Sequence, residues 1–140
     1  MPNHCQNNVT ISCDSQTAEL IRNLLKGEET EFDFNKLIPM PEELLECSND
    51  PKVNLRRKQQ YGHDGWYDWR LANWGTKWNS YECTLDEMID DGILEYRFDT
   101  AWGPPEGIHT ALMKYIETHD LRAEVTWFYD EPLMEFAGYL

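Results

Sequence analysis

Alternating apolar and polar residues near the start of the chain are typical of a half-buried β-strand. Val9, Ile11 and Cys13 alternate with threonine and serine, and this two-residue period places them on one side of a strand. Apolar residues then recur at helical spacing, and Gly27 follows the last of them. Because glycine is the common residue just beyond a helix end, we predict a helix over residues 15–26.

The second half of the chain predicts further strands and a second long helix. Apolar residues alternate with polar or charged ones in three segments, as in strands with one buried face. These segments are residues 78–83, 94–99 and 123–129. An apolar stripe at helical spacing predicts a helix over residues 105–118, which Pro105 can begin. A short last strand is predicted near residues 134–138.

The order of these elements predicts the fold class. Strand, helix, strand, strand, helix and strand form the split βαβ arrangement, in which two helices cover one face of an antiparallel sheet. We therefore predict a single α+β domain over residues 1–140, with a ferredoxin-like βαββαβ sheet. We also predict two additions to the βαββαβ arrangement. One is an insertion at about residues 35–77, and the other is an extra C-terminal strand.

The insertion is predicted to contain loops and one Trp-rich helix. Residues 48–60 are polar and include a proline, which indicates a loop, although Pro41 can begin a short helix before it. The segment GWYDWRLANW predicts a helix from Gly65 to Trp74. On a helical wheel one broad face then carries Trp66, Tyr67, Trp69, Arg70, Asn73 and Trp74.

A guanidinium inside an aromatic face needs an anionic partner, because an unpaired buried charge is very costly. We predict that Arg70 stacks on an indole ring and pairs with Asp99 of the FDTAW segment. The same residues could instead line a ligand cleft, or anchor a protein interface. The candidate binding residues are Trp66, Trp69, Arg70, Asn73, Trp74, Lys77, Asp99 and Trp102.

Candidate catalytic groups are few. His63 beside Asp64 could act as a general base with an orienting carboxylate. Neighbours in a glycine-flanked turn seldom have that geometry, so a helix-capping role for Asp64 is favoured. The sequence contains no recognisable nucleophile motif and no glycine-rich phosphate loop. No catalytic residue is therefore assigned.

The net charge of the chain disfavours some classes of binding partner. The 140 residues carry a formal charge of −14, which disfavours direct binding of nucleic acid or of an anionic membrane. It favours a protein partner with a basic, nucleic-acid-binding face, although the charge can also serve solubility alone. A short basic run is predicted to be a solvated loop, and consists of Lys52, Arg56, Arg57 and Lys58.

The cysteines and the first residues predict the compartment. Cys5, Cys13, Cys47 and Cys83 have no metal-binding spacing, so we expect four free thiols, no metal and no cofactor. The chain shows no secretory signal pattern and no apolar run of bilayer length. These features predict a cytoplasmic protein.

Five segments carry a resemblance to a known family. They are MPNHCQNNVTIS, LIPMP, YGHDGWYDWRLANWGTKWN, YRFDTAWGPP and EFAGY, in this order. Together they resemble the Api-type, YubB-like proteins of bacterial plasmids and phages over nearly the whole chain. The resemblance implies a ferredoxin-like fold, and the cysteine spacing excludes an iron–sulfur cluster. It implies no catalytic residues, and it suggests a role in host interaction or anti-defence.

Two functional hypotheses follow. The first is a non-enzymatic, acidic accessory protein of a mobile element that binds an unidentified host protein. The alternative is a small-molecule or nucleotide-binding enzyme that uses a Trp-lined cleft. In that case Arg70, Asn73, Lys77 and Asp99 would receive the ligand, with His63 as a possible base.

Overall fold

This computed structural model describes residues 3–140 of the chain. They form a five-stranded antiparallel sheet and four α-helices, with short 3-10 turns between them. The strands are β1 (His4–Ser12), β2 (Tyr81–Met88), β3 (Ile93–Ala101), β4 (Glu124–Glu131) and β5 (Phe136–Tyr139). The helices are α1 (Ser15–Leu25), α2 (Pro51–Tyr61), α3 (Trp66–Asn73) and α4 (Glu106–Thr118). The strand order β2-β3-β1-β4-β5 is that of a ferredoxin-like sheet with one added strand, so the predicted fold class is confirmed.

The hydrophobic core lies on the face of the sheet that α1 and α4 cover. In the centre of this face Val9 is paired with Tyr96 on one side and Trp127 on the other. The helices add Ala18, Ile21, Leu25, Ile108, Leu112 and Ile116 to the same buried cluster. Both helices therefore pack on one face, as predicted. A large apolar side chain fully buried here stabilises the fold by about 1.5–3 kcal/mol.

The start of α1 follows the predicted strand, turn and helix. The carboxylate of Asp14 accepts a hydrogen bond from the Thr17 amide at 2.7 Å, a cap that stabilises a helix by about 1 kcal/mol. Next to it Gly92 has φ 71°, and a Cβ atom there would lie 1.7 Å from the Cys13 carbonyl oxygen. Only glycine therefore lets the start of β3 approach the end of β1 this closely.

The predicted loop at residues 48–60 is wrong, because the structure forms α2 there. Asp50 caps the Lys52 amide at 2.9 Å, Pro51 occupies the first turn, and Gly62 ends the helix with φ 82°. These are ordinary helix start and stop signals. The helix was not predicted from the sequence because it has almost no apolar stripe. Polar contacts hold it in place instead.

Glu43 is the centre of those polar contacts. Its carboxylate accepts hydrogen bonds from Arg56 at 2.6 Å and from the Tyr61 hydroxyl at 2.6 Å, and Arg57 lies 3.4 Å away. These donors, with Arg56 foremost, lower the pKa of Glu43 to about 2. The basic run is thus partly neutralised on a helix, and the prediction of a solvated loop is wrong here too.

The two edges of the sheet differ in protection. Edge strand β2 starts at Tyr81 rather than at residue 78, and a register shift follows at Glu82, which has φ 50°. Acidic residues and this bulge are features that discourage further strand pairing. Edge strand β5 has the sequence FAGY and no charged side chain, and exposed Leu133 and Met134 lie just before it. The β2 edge is therefore guarded by charge and by a bulge, whereas the β5 edge is limited only by the shortness of its four-residue strand.

No helix within residues 3–140 combines the length and the apolar character needed to cross a bilayer.

Candidate binding surface

The face of the sheet opposite α1 and α4 is largely exposed to solvent. Along the central strand β1, His4, Gln6, Asn8 and Ser12 are exposed and Thr10 is half-buried, whereas the alternate residues are buried. The buried set comprises Cys5, Asn7, Val9 and Ile11. The residues that pair with this exposed set belong to the same surface, because cross-strand partners share a face. We call this surface the open face.

The open face is acidic. The strand register places five carboxylates and one cation on it. These residues are Asp86, Glu95, Asp99, Glu124, Asp130 and Arg97. Partial burial, with the charge of Glu82 adding to it, raises the pKa of Asp99, while nearby His4 opposes that shift. The surface therefore presents a concentrated negative potential.

A polar cleft crosses the open face between β1 and β3. It holds about 390 Å³, and its lining includes Gln6, Asn8, Glu82, Arg97 and Asp99. Amide, guanidinium and carboxylate groups together offer both donors and acceptors. The cleft can therefore hydrogen-bond a polar group.

At one end of the cleft His4 and Tyr81 share a short hydrogen bond. The His4 Nδ1 atom lies 2.6 Å from the Tyr81 hydroxyl, and the two rings meet edge to face at 5.6 Å. Burial and the charge of Asp99 raise the pKa of Tyr81 to about 12. The phenol is thus protonated at neutral pH and can donate to an unprotonated Nδ1.

Aromatic and cationic side chains continue from Tyr81 along this end of the sheet. Trp78 meets Tyr81 at 6.0 Å, and the Lys77 ammonium lies 4.5 Å from the Trp78 ring centroid. The Arg70 guanidinium donates to the Lys77 carbonyl at 3.2 Å and lies 5.2 Å from the Trp66 ring centroid. With Trp102, these residues form the aromatic rim, which comprises His4, Trp66, Arg70, Lys77, Trp78, Tyr81 and Trp102.

Trp102 is held in an unusual backbone conformation. Its φ is 73°, and the Gly103 amide donates to the Ala101 carbonyl at 2.9 Å, which is the pattern of a strained γ-turn. The Trp102 amide donates to the Asn3 carbonyl at 2.8 Å, and its side chain is 53% exposed. The structure thus keeps a strained turn that leaves a large indole half in solvent.

The predicted Arg70–Asp99 ion pair is wrong. Within residues 3–140 Arg70 has no carboxylate within 4.0 Å, and its buried Nε atom has no hydrogen-bond partner. Asp99 is paired with Tyr81 on the open face, whereas α3 packs against the start of α4, where the Asn73 carbonyl approaches Gly107. The predicted stacking on indole is confirmed, and burial lowers the pKa of Arg70.

Two further candidate residues, in and just after α3, lie deeper than Arg70. Trp69 and Trp74 are 6% and 0% exposed and belong to the core, where the Trp74 indole donates to the Ile38 carbonyl at 2.9 Å. The Asn73 amide donates to the Trp69 carbonyl at 2.9 Å. The structure therefore places Trp66, Arg70, Lys77 and Trp102 on the rim and Asp99 on the open face. Trp69 and Trp74 lie in the core, and Asn73 is half-buried.

His63 lies in the turn between α2 and α3. Its ring makes no hydrogen bond to the described residues, and Asp64 instead pairs with Lys58 at 3.7 Å. The N-cap of α3 is Gly65, without a side-chain hydrogen bond. The predicted capping role of Asp64 is therefore wrong, and no His63–Asp64 dyad forms.

Sequence reasoning missed a buried polar network under the start of β1. Asn7 accepts from the Trp127 indole at 3.0 Å and donates to the Thr100 hydroxyl at 2.9 Å. Beside it, burial raises the pKa of Cys5 to about 11, so this thiol is a poor nucleophile at neutral pH. All four cysteines are free, and no three His, Cys, Asp or Glu side chains within residues 3–140 are grouped as a metal site.

Comparison with known proteins gives a structural match alone. The sequence matches no protein-family model, and no curated protein is significantly similar to it. A crystal structure of the Api92 protein from Yersinia pseudotuberculosis, assigned to the family DUF1281, is similar with a TM-score of 0.63. The match covers 99% of this chain and 93% of that chain at 10% identity. The likeness shows a shared fold and supports the Api-type resemblance at that level.

Proposed function

We propose that this protein is a non-enzymatic binding module whose open face and aromatic rim engage a partner protein. The observation that supports this most is the rim itself, where exposed indoles stand beside a strongly acidic sheet face. Tryptophan, tyrosine and arginine are the residue types that most often anchor protein interfaces. The partner surface that fits the open face is basic.

The rim supplies the anchors. Trp78 and Trp102 are 36% and 53% exposed, and neither is needed to fill the core. An exposed indole gains by transfer from water into a partner's pocket. The strained turn at Trp102 supports the same role, because strain of this kind is commonly found at functional sites.

The open face supplies charge complementarity. Its carboxylates outnumber Arg97, its single cation, five to one along the strand register. Residues two apart on one strand lie about 6.7 Å apart, so the face can present an array of negative charges to a basic groove. A partner that normally binds nucleic acid has such a groove. The acidic face would then occupy the site in place of phosphates.

The resemblance to YubB-like proteins gives this proposal a biological setting. Those proteins are found on plasmids and phages, so the partner would be a host protein, and the role would be accessory or anti-defence. We place the complex in the cytoplasm, where reduced cysteines and a nucleic-acid-binding partner are both expected.

The test is a binding assay with the immobilised chain and purified bacterial DNA-binding proteins, with and without competing duplex DNA. We expect a complex that weakens as salt is raised and that duplex DNA displaces. Reversing two charges of the open face, with Asp86→Lys and Glu95→Lys, should abolish it. The matched control is Glu28→Lys with Glu29→Lys, which makes the same charge change outside the sheet.

The anchors are tested in the same assay. Trp78→Ala and Trp102→Ala should each weaken the complex about tenfold or more, whereas Leu55→Ala, an exposed apolar residue on α2, should have little effect. Absence of any complex, or a complex that ignores both salt and the open-face charge reversal, would contradict the proposal.

One observation favours the alternative, a small-molecule or nucleotide-binding enzyme. His4 and Tyr81 share a 2.6 Å hydrogen bond beside Asp99, and such a group can move a proton. Quenching of tryptophan fluorescence by a metabolite or nucleotide, lost in Tyr81→Phe and kept in Tyr67→Phe, would support this second function instead.

A further inference from the structure

A groove between α1 and α4 has a chemistry opposite to that of the open face. It holds about 310 Å³ and is closed at one side by the turn Phe34–Lys36 and Leu37. Its apolar lining comes from Leu24, Leu37, Ala111 and the ring of Tyr115. This lining offers a surface for an apolar body of limited size.

The polar part of the lining is basic. Lys36 and Lys114 flank the apolar residues, and no acidic side chain contributes to the groove, although the chain has 26 acidic and 12 basic residues. Within residues 3–140 neither lysine has a carboxylate partner within 4.0 Å. The groove is therefore a local positive site on a negative protein, complementary to an anion.

His119 is held in a defined orientation at the end of the groove. Its ring stacks on Tyr115 with centroids 3.9 Å apart, and its Nδ1 atom lies 3.0 Å from the Tyr115 carbonyl oxygen. Since a carbonyl oxygen only accepts hydrogen bonds, Nδ1 carries the proton. The imidazole thus covers one face of the Tyr115 ring and fixes its position at the groove.

We propose that this groove binds a small organic carboxylate with an aromatic or branched aliphatic body. The body packs against Leu24, Leu37 and the Tyr115 ring, and the carboxylate lies between Lys36 and Lys114. The volume is at the lower end of the range for ligand sites, about 300–1,000 Å³. It fits one or two rings with a charged group and is too small for a peptide helix.

The test is an NMR titration of the ¹⁵N-labelled full chain with naphthalene-2-carboxylate. Naphthalene-2-carboxamide, which has the same shape and no charge, is the matched ligand. We expect amide shifts concentrated at Leu24, Ala111 and Thr118, and binding of the carboxylate about fivefold or more tighter than that of the carboxamide.

Substitution of the two lysines distinguishes the contribution of charge to ligand affinity from the contribution of shape. Lys36→Ala and Lys114→Ala should each weaken carboxylate binding about threefold to fivefold and leave carboxamide binding unchanged. Lys52→Ala, an exposed lysine on α2, is the control and should change neither. Equal affinity for the two ligands, shifts located on the aromatic rim, or no saturable binding would each overturn the proposal. None of these results depends on the open face.

Discussion

The two faces of the sheet are built from the same strands and serve opposite purposes. On β4, Trp127 is fully buried against the helices, while its neighbour Phe128 lies half exposed on the open face. On β3, Phe98 is buried and Asp99 lies on the other side. The covered face thus contains nearly all the packing that stabilises the fold, whereas the open face carries most of the charged side chains of the strands.

The largest expected effect is on the covered face. Trp127→Ala should lower the free energy of unfolding by about 3–5 kcal/mol, because it leaves a cavity and removes the indole donor from Asn7. Phe128→Ala, one position along the same strand, should cost about 1 kcal/mol or less, since its ring is already partly solvated. Urea unfolding followed by circular dichroism measures both. Equal losses would mean that the open face is covered in solution.

An intermediate effect on stability is expected at Trp102, where the backbone conformation decides whether glycine or alanine is the more stable substitute. At most positions alanine is more stable than glycine, but φ 73° at Trp102 reverses that order. Trp102→Gly should therefore be about 1–2 kcal/mol more stable than Trp102→Ala, and both should weaken partner binding to a similar extent. Thermal melts compare the two variants. Alanine as the more stable substitute would show that the strained turn does not persist in solution.

The smallest expected effect is at Asp99 on the open face. Its folded-state pKa is raised, so the folded protein binds a proton more readily than the unfolded chain. Wild-type stability should therefore fall as pH rises from the ordinary aspartate value of 3.8 through the raised folded value. At neutral pH Asp99→Asn should raise Tm by about 1–2 °C, and this advantage should vanish at acid pH.

A control for Asp99 is the same substitution at Asp86, an exposed residue of the same face. Asp86→Asn should change Tm less, because water screens its charge. A larger gain from Asp86→Asn than from Asp99→Asn would contradict the placement of Asp99 in a half-buried, acidic cleft.

Most of the fold was predictable because each core element repeats its apolar residues with the period of its structure. Strand β3, with Leu94, Tyr96 and Phe98 inward, and helix α4 are clear examples. Helix α2 was not predicted, since tertiary hydrogen bonds to Glu43 hold it rather than an apolar stripe. Its Asp50-Pro51 start and Gly62 stop were the available signals.

The candidate surface was predictable only in part. Indole-rich sequence pointed to Trp66, Arg70 and Trp102, and local helical spacing placed Arg70 against indole correctly. The His4–Tyr81 contact joins residues 77 positions apart, and only the strand register brings them together. The Arg70–Asp99 pair failed for the same reason, because a helical wheel does not show which face of a distant strand an aspartate occupies.

The uncharged edge strand β5 gives the acidity of the chain a role in keeping separate copies apart. An uncharged edge with apolar neighbours is a template for strand addition and aggregation, and Tyr139 and Leu133 there are 71% and 72% exposed. Two copies that approach edge to edge each carry a charge of −14, and their repulsion acts over about 8 Å at physiological salt. We infer that long-range repulsion between copies takes the part that a lysine or proline plays on other edge strands, and we expect high salt or acid to promote precipitation.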